Sequence, residues 1–142
     1  MWFNKVIATD ASSVGQGVVI TSAIMSSGQP NIEASKDPSL SSWKTIISSA
    51  WKRKEHINVL EIRAVITAVK WVISFPSSIR NRVAILCDST VALSSITKGR
   101  SSSPLLLPRL RLLASYVLAS GLQLYLSWIP SELNPADGPS RL

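Results

Sequence analysis

Four carboxylates stand at positions where a folding chain ordinarily avoids charge. Asp10 ends the apolar run Val6-Ile7-Ala8 in KVIATDAS, and Asp88 ends a second such run, RVAILCD. Glu61 heads an apolar helical stripe, and Asp137 lies in the tail behind the last apolar segment. Only eight Asp and Glu occur in 142 residues, so half of them fall at these positions. An isolated ionised carboxylate resists leaving water, and like charges held close together repel unless a cation neutralises them. The cation that matches carboxylates alone is hard and oxygen-loving: Mg2+, with Mn2+ as substitute. A single cysteine, Cys87, and a single histidine, His56, exclude a Cys/His zinc site built within the chain. Two Mg2+ ions about 3.5–4 Å apart activate a water and stabilise the leaving oxygen in phosphodiester cleavage. If Asp10, Glu61, Asp88 and Asp137 converge, the chain has the makings of a metal-dependent phosphodiesterase.

The acids converge only if the elements carrying them do. Residues 5–12 read as a strand bounded by a small-residue turn, and their continuous apolar run suggests cover on both faces, near the middle of a sheet. Residues 15–24 read as a second strand, paired antiparallel through a hairpin-like loop. The Ser-, Gly-, Pro- and Asn-rich residues 26–42 read mostly as loop, with a short strand near 31–34. Residues 58–74 are predicted to be a helix, because Glu61, Val65, Ala68 and Val72 recur on one face and Leu60, Ala64 and Trp71 widen it. Asn58 and Glu61 also fit an N-cap with its capping box, which would occupy Glu61 with helix amides. Its place at the head of the apolar stripe turns it towards the sheet instead.

Residues 82–88 repeat the opening pattern, and a helical stretch follows to about Lys98, for which Asp88 or Ser89 would serve as cap. KGRSSS at 98–103 reads as a basic turn, either a phosphate contact or a solvated loop. Pro108 delays the next helix to near Leu107. In it Leu106, Leu110, Leu113 and Val117 share a face, Arg109 and Arg111 point away, and Gly121 closes the helix. Residues 122–129 alternate as a half-buried strand, with Leu122, Leu124, Leu126 and Trp128 on one face. The tail, 130–142, is too rich in Pro and Gly for a long helix. The order β, β, (β), helix, β, helix, helix, β, tail is that of a mixed α/β sheet with helices on its faces, in which ligands gather at strand ends.

Fifteen Lys and Arg give a formal charge of +7 and a pI near 10.1. That balance points to a polyanion, either nucleic acid or an anionic membrane surface, against the plainer role of keeping the chain soluble. Hydrophobic content of 46% excludes a disordered chain, and the length suits one domain spanning 1–142. No run reaches the roughly 18–20 apolar residues of a membrane span, and no signal-peptide pattern opens the sequence. With one cysteine there is no internal disulfide, so an intracellular setting is expected, cytoplasm and nucleus being equally compatible. Trp43 and Trp51 beside Lys52, Arg53 and Lys54 suit a strand of nucleic acid, although the tryptophans read better as core or edge anchors.

Several of these segments taken together resemble a known family. Thr9-Asp10-Ala11-Ser12, His56-Ile57-Asn58-Val59-Leu60-Glu61 with Arg63-Ala64-Val65, Cys87-Asp88-Ser89-Thr90, Trp128-Ile129-Pro130-Ser131, and Asn134-Pro135-Ala136-Asp137 with Ser140-Arg141 resemble the ribonuclease H domain of reverse-transcribing elements. The look is nearest to DIRS-like retrotransposons, and NPADGPSR is also similar to the hepadnavirus polymerase. The resemblance runs from Thr9 to Arg141. It implies a ribonuclease H-like fold with a mixed five-stranded sheet, excised from a larger reverse transcriptase polyprotein whose polymerase domain would be a partner. It implies Asp10, Glu61, Asp88 and Asp137 as catalytic ligands of two Mg2+ ions, and hydrolysis of the RNA strand of an RNA/DNA hybrid to 5′-phosphate and 3′-hydroxyl ends. Asn58 and Ser89 match positions at the minor groove of the hybrid, where 2′-hydroxyls mark RNA. Lys98 and Arg100 are the candidate phosphate contacts.

The pattern departs from the family in three places. Glu132 stands where many members carry a histidine thought to help product release, and would take that role or be a plain surface acid. The final helix is short or missing, and the stretch between Lys98 and Pro104 leaves no room for an extra basic helix. Integrase-like relatives are disfavoured, because there the glutamate comes last and here Glu61 comes second. The alternative of another class is a catalytically weak or silent module that only binds nucleic acid.

Overall fold

The computed structural model describes residues 3–21, 25–26, 29–30, 32–38 and 42–142. In chain order they form β1 (Lys5–Ala11), β2 (Gly15–Thr21), the two-residue strands β3 (Met25–Ser26) and β4 (Gln29–Pro30), and the short helix α1 (Ile32–Ser35). Then come β5 (Trp43–Ala50), α2 (Ile57–Ile73), β6 (Arg82–Cys87), α3 (Thr90–Lys98), α4 (Leu107–Ser120), β7 (Gln123–Trp128) and α5 (Asp137–Ser140). The main sheet has five strands in the order β5-β2-β1-β6-β7. β1 pairs antiparallel with β2 and parallel with β6, so the sheet is mixed, as expected.

β1 sits at the centre because every side chain from Val6 to Ala11 is buried. Ile7 belongs to a core with Val18, Ile85 and the apolar stripe of α2, while Val6 and Ala8 face a second core with Phe3, Val19, Leu86 and Ile129. A strand covered on both faces is a continuous apolar run in sequence. α2, α3 and α4 cover the first face, and α1 and the closing tail contribute to the second.

Several expectations need correction. The third strand of the sheet is β5, at Trp43–Ala50, and residues 32–34 of the strand expected near 31–34 lie in the helix α1. Position 31 and the end of the expected second strand, 22–24, lie outside the described residues. Among the described residues β5 is an edge strand paired only with β2, with an irregular register between Val18 and Val19. Its interspersed polar side chains suit an exposed edge, and they hide it from an apolar-run reading. The cap of α2 is His56, not Asn58: the His56 Nδ1 accepts the Asn58 backbone N–H at 3.1 Å. Trp128, expected on the buried face, is 48% exposed. Arg109 turns inward to Glu55 (3.4 Å), which also pairs with Arg63, so one carboxylate ties α4 to α2. α4 does begin at Leu107, with Leu106, Leu110 and Leu113 buried and Gly121 closing it at φ 66°.

Trp51 is a structural anchor. Its indole N–H donates to the Ser12 carbonyl at 2.9 Å, its ring packs on Ala11, Leu60 and Ala64, and the Arg63 guanidinium lies 4.8 Å from the ring centroid.

Candidate active site

The parallel pairing of β1 with β6 aligns their C-terminal ends, which brings Asp10, the penultimate residue of β1, beside Asp88, the residue after β6. α2 crosses this end of the sheet with its first turns, and Glu61 projects from its buried face. One carboxylate oxygen from each of Asp10, Glu61 and Asp88 lies within 4.8 Å of the others. Asp10 and Glu61 are only 5% and 6% exposed.

Burial sets the electrostatics. Loss of water, followed by the charge of Asp88, pushes the Asp10 carboxyl up to about 7. Loss of water and then the charges of Asp10 and Asp88 push Glu61 up to about 9. Asp88 is raised as well, chiefly by burial, against the pull of its bond from Asn134. Glu61 Oε2 is buried with no hydrogen-bond partner among the described residues. An orphaned buried oxygen beside two further carboxylates is costly as it stands and suits a hard divalent cation. The all-carboxylate donor set is therefore compatible with a divalent metal of that class.

Asp137 is near this group but outside its tight core. Its carboxylate receives Arg141 Nε at 3.2 Å on both oxygens and its side chain is 41% exposed. Ser89 caps α3, accepting the Ala92 N–H at 3.1 Å, so its own proton stays available to donate. Asn58 is in the first turn of α2 and lines a groove with His56, Ser103 and Leu105. Lys98 and Arg100 line a separate open groove with Ser94, Ser95, Ser101 and Ser102 at the far end of α3 from Asp88. Glu132 is exposed in a short 3-10 helix, Ser131–Leu133, beside Lys36 and Trp43.

The residues that hold the acids are ones to which sequence reasoning assigned no role. Asn134, 5% exposed, donates its side-chain amide to the Thr9 carbonyl at 3.0 Å and to Asp88 Oδ2 at 3.2 Å, and accepts the Ala136 N–H at 3.0 Å. Ser140 Oγ is 3.0 Å from Asp10 Oδ2. The available signal was the pair Gly15 and Gly17 on one face of β2: a Cβ on Gly17 would stand 2.6 Å from the Ala136 carbonyl, so something had to lie against that strand.

No protein-family model matches the sequence, and a search of curated proteins finds no match either. Solved structures do match in shape. A ribonuclease H1 isolated from compost superposes with a TM-score of 0.67 at 22% identity, over 95% of this chain and 91% of that one. The fold is that of ribonuclease H. The compost ribonuclease H1 solved with an RNA/DNA hybrid gives 0.59 at 20% identity, covering 95% and 92% of the two chains. The foamy virus protease-reverse transcriptase, also solved with an RNA/DNA hybrid, gives 0.63 at 14% identity over 98% of this chain, which matches 20% of the viral one. With a ribonuclease H fold, the three gathered acids lie where parallel strands end, at the position such sheets use for ligands.

Proposed function

We propose that the chain is a metal-dependent ribonuclease that hydrolyses the RNA strand of RNA/DNA hybrids during reverse transcription. The observation that carries this reading is the trio Asp10, Glu61 and Asp88, gathered within 4.8 Å of one another with an unpartnered buried Glu61 oxygen, on a ribonuclease H fold. Asp10, Glu61 and Asp88 would hold the cation, with Asp137 completing the set at the rim. Bound there as two ions, Mg2+ (or Mn2+) would supply an activated water and charge neutralisation at the scissile phosphate, leaving 5′-phosphate and 3′-hydroxyl ends. The side-chain amide of Asn58 and the hydroxyl of Ser89 would donate to or accept from 2′-hydroxyls across the minor groove. Lys98 and Arg100 would hold backbone phosphates, for which the net charge of +7 provides a favourable field. Glu132 would take part in product release.

The motifs further suggest a reverse-transcribing element of DIRS-like kind as the source. In that setting 1–142 would act as one domain behind a polymerase of the same polyprotein, inside the cell. No helix among the described residues is long and apolar enough to cross a membrane. One observation favours the alternative, a weak or silent nucleic-acid-binding module: the Asp137 carboxylate is engaged by Arg141 and stands outside the gathered trio. Cleavage assays on matched RNA/DNA, RNA/RNA and DNA/DNA duplexes separate the readings. The enzyme reading expects cutting of the hybrid alone. Binding of all three without cutting, in Mn2+ as in Mg2+, supports the module.

A further inference from the structure

The last turn of the chain, α5, is seated in a socket formed by β2, β5 and the β1–β2 turn. Gly15 and Gly17 make room for it: a Cβ on Gly17 would meet the Ala136 carbonyl at 2.6 Å and the Ser140 nitrogen at 2.8 Å, and one on Gly15 would meet the Ser140 carbonyl at 3.0 Å. Two serine hydroxyls hold its carbonyls, Ser12 on Ser140 and Ser48 on Pro139, each at 2.6 Å. Within this socket Ser140 is fully buried, and its hydroxyl is 3.0 Å from Asp10 Oδ2 and 2.8 Å from the Asp137 carbonyl. A serine hydroxyl carries one proton. Facing the Asp10 carboxyl and a peptide carbonyl, it donates to Asp10 once that group is ionised, as cation binding requires, because the carboxylate is then the stronger acceptor. That contact fixes one oxygen of Asp10 and limits rotation of the group about its Cβ–Cγ bond.

We propose that Ser140 is a positioning residue for Asp10, and that its hydroxyl thereby raises the affinity of the acidic site for divalent cations. The inference rests on the cation-binding reading above. The Ser12 and Ser48 contacts tie α5 to the sheet without touching an acid. Ser140 alone in this turn makes both a latch and an acid contact, and it links the first of the four acids to the backbone of the last.

Isothermal titration of Mn2+ into the full chain tests this, comparing wild type with Ser140→Ala and Ser48→Ala and following melting by circular dichroism. Ser48→Ala removes a latch bond of the same turn and is expected to leave Mn2+ affinity within about twofold of wild type. Ser140→Ala is expected to weaken it about tenfold, the scale of one hydrogen bond to a charged group. Equal affinities for the two variants would overturn the inference. Wild type that binds no Mn2+ would overturn the cation-binding reading itself, which separates the two failures. Should Ser140→Ala not fold, amide NMR of the wild type under Mg2+ titration gives the answer. The Ser140 and Asp10 amides are expected to shift with one midpoint while Ser48 stays still. A Ser140 amide that does not respond would contradict the proposal.

Discussion

The side-chain amide nitrogen of Asn134 lies 3.2 Å from Asp88 Oδ2 and 3.0 Å from the Thr9 carbonyl, so one residue of the closing tail fixes the end of β6 against the end of β1. Asn134→Ala leaves the Thr9 carbonyl and the Ala136 N–H without this partner in a buried setting. A loss of about 1–3 kcal/mol in stability follows from unsatisfied buried groups, readable by urea unfolding. Nuclease activity should fall further than the folded fraction does, because Asp88 is then free to turn.

The metal-free protein should grow less stable as pH rises. Asp10, pushed up to about 7, and Glu61, pushed up to about 9, hold protons in the folded state that the unfolded chain has already released near the ordinary values of 3.8 and 4.5. Between those limits the folded state binds more protons, so stability is highest in acid and is lost as pH climbs through the folded-state values. Melting temperature measured with a chelator should decline from about pH 5 to about pH 9. Mg2+ should raise it more at the alkaline end, where the acids are ionised for binding. A flat profile would contradict the raised carboxyls.

Gly17→Ala should unseat the tail. The added methyl would stand 2.6 Å from the Ala136 carbonyl and 2.8 Å from the Ser140 nitrogen, both backbone atoms with little room to yield. Overpacking of this kind costs about 1–3 kcal/mol. Loss of protease resistance at the C-terminus should accompany the drop in melting temperature, since α5 is the element displaced.

The strands that carry Asp10 and Asp88 were legible because both faces of β1 and most of β6 are buried, and burial on two faces leaves a continuous apolar run. Glu61 was legible for a related reason, heading the stripe by which α2 packs on the sheet. β5 was not legible, because in this edge strand the polar pairs Lys44-Thr45 and Ser48-Ser49 break both a continuous apolar run and a strict alternation. The cap by His56 eluded a reading based on the usual Asn, Asp, Ser and Thr caps. Neither Asn134 nor Ser140 could be given its role from local pattern, since their partners lie 125 and 130 positions away. The same holds for the inward turn of Arg109, whose partner Glu55 sits before α2.

Replacing Lys98 and Arg100 by serine should weaken hybrid binding with little change in turnover. Both are exposed on the groove at the end of α3. Each phosphate contact removed should lower the slope of log affinity against log salt by about one, measurable by fluorescence anisotropy across a salt series. An unchanged slope would exclude them as phosphate contacts.

The most direct test of the central claim uses an RNA/DNA hybrid labelled on each strand in turn, incubated with the full chain in Mg2+, and the Asp88→Asn variant beside it. Asp88→Asn keeps the side-chain shape and removes one charge from the trio. Cutting is expected on the RNA strand only, abolished by chelator and lost in Asp88→Asn while its melting temperature holds or rises. Metal-independent cutting, or full activity in Asp88→Asn, would contradict it.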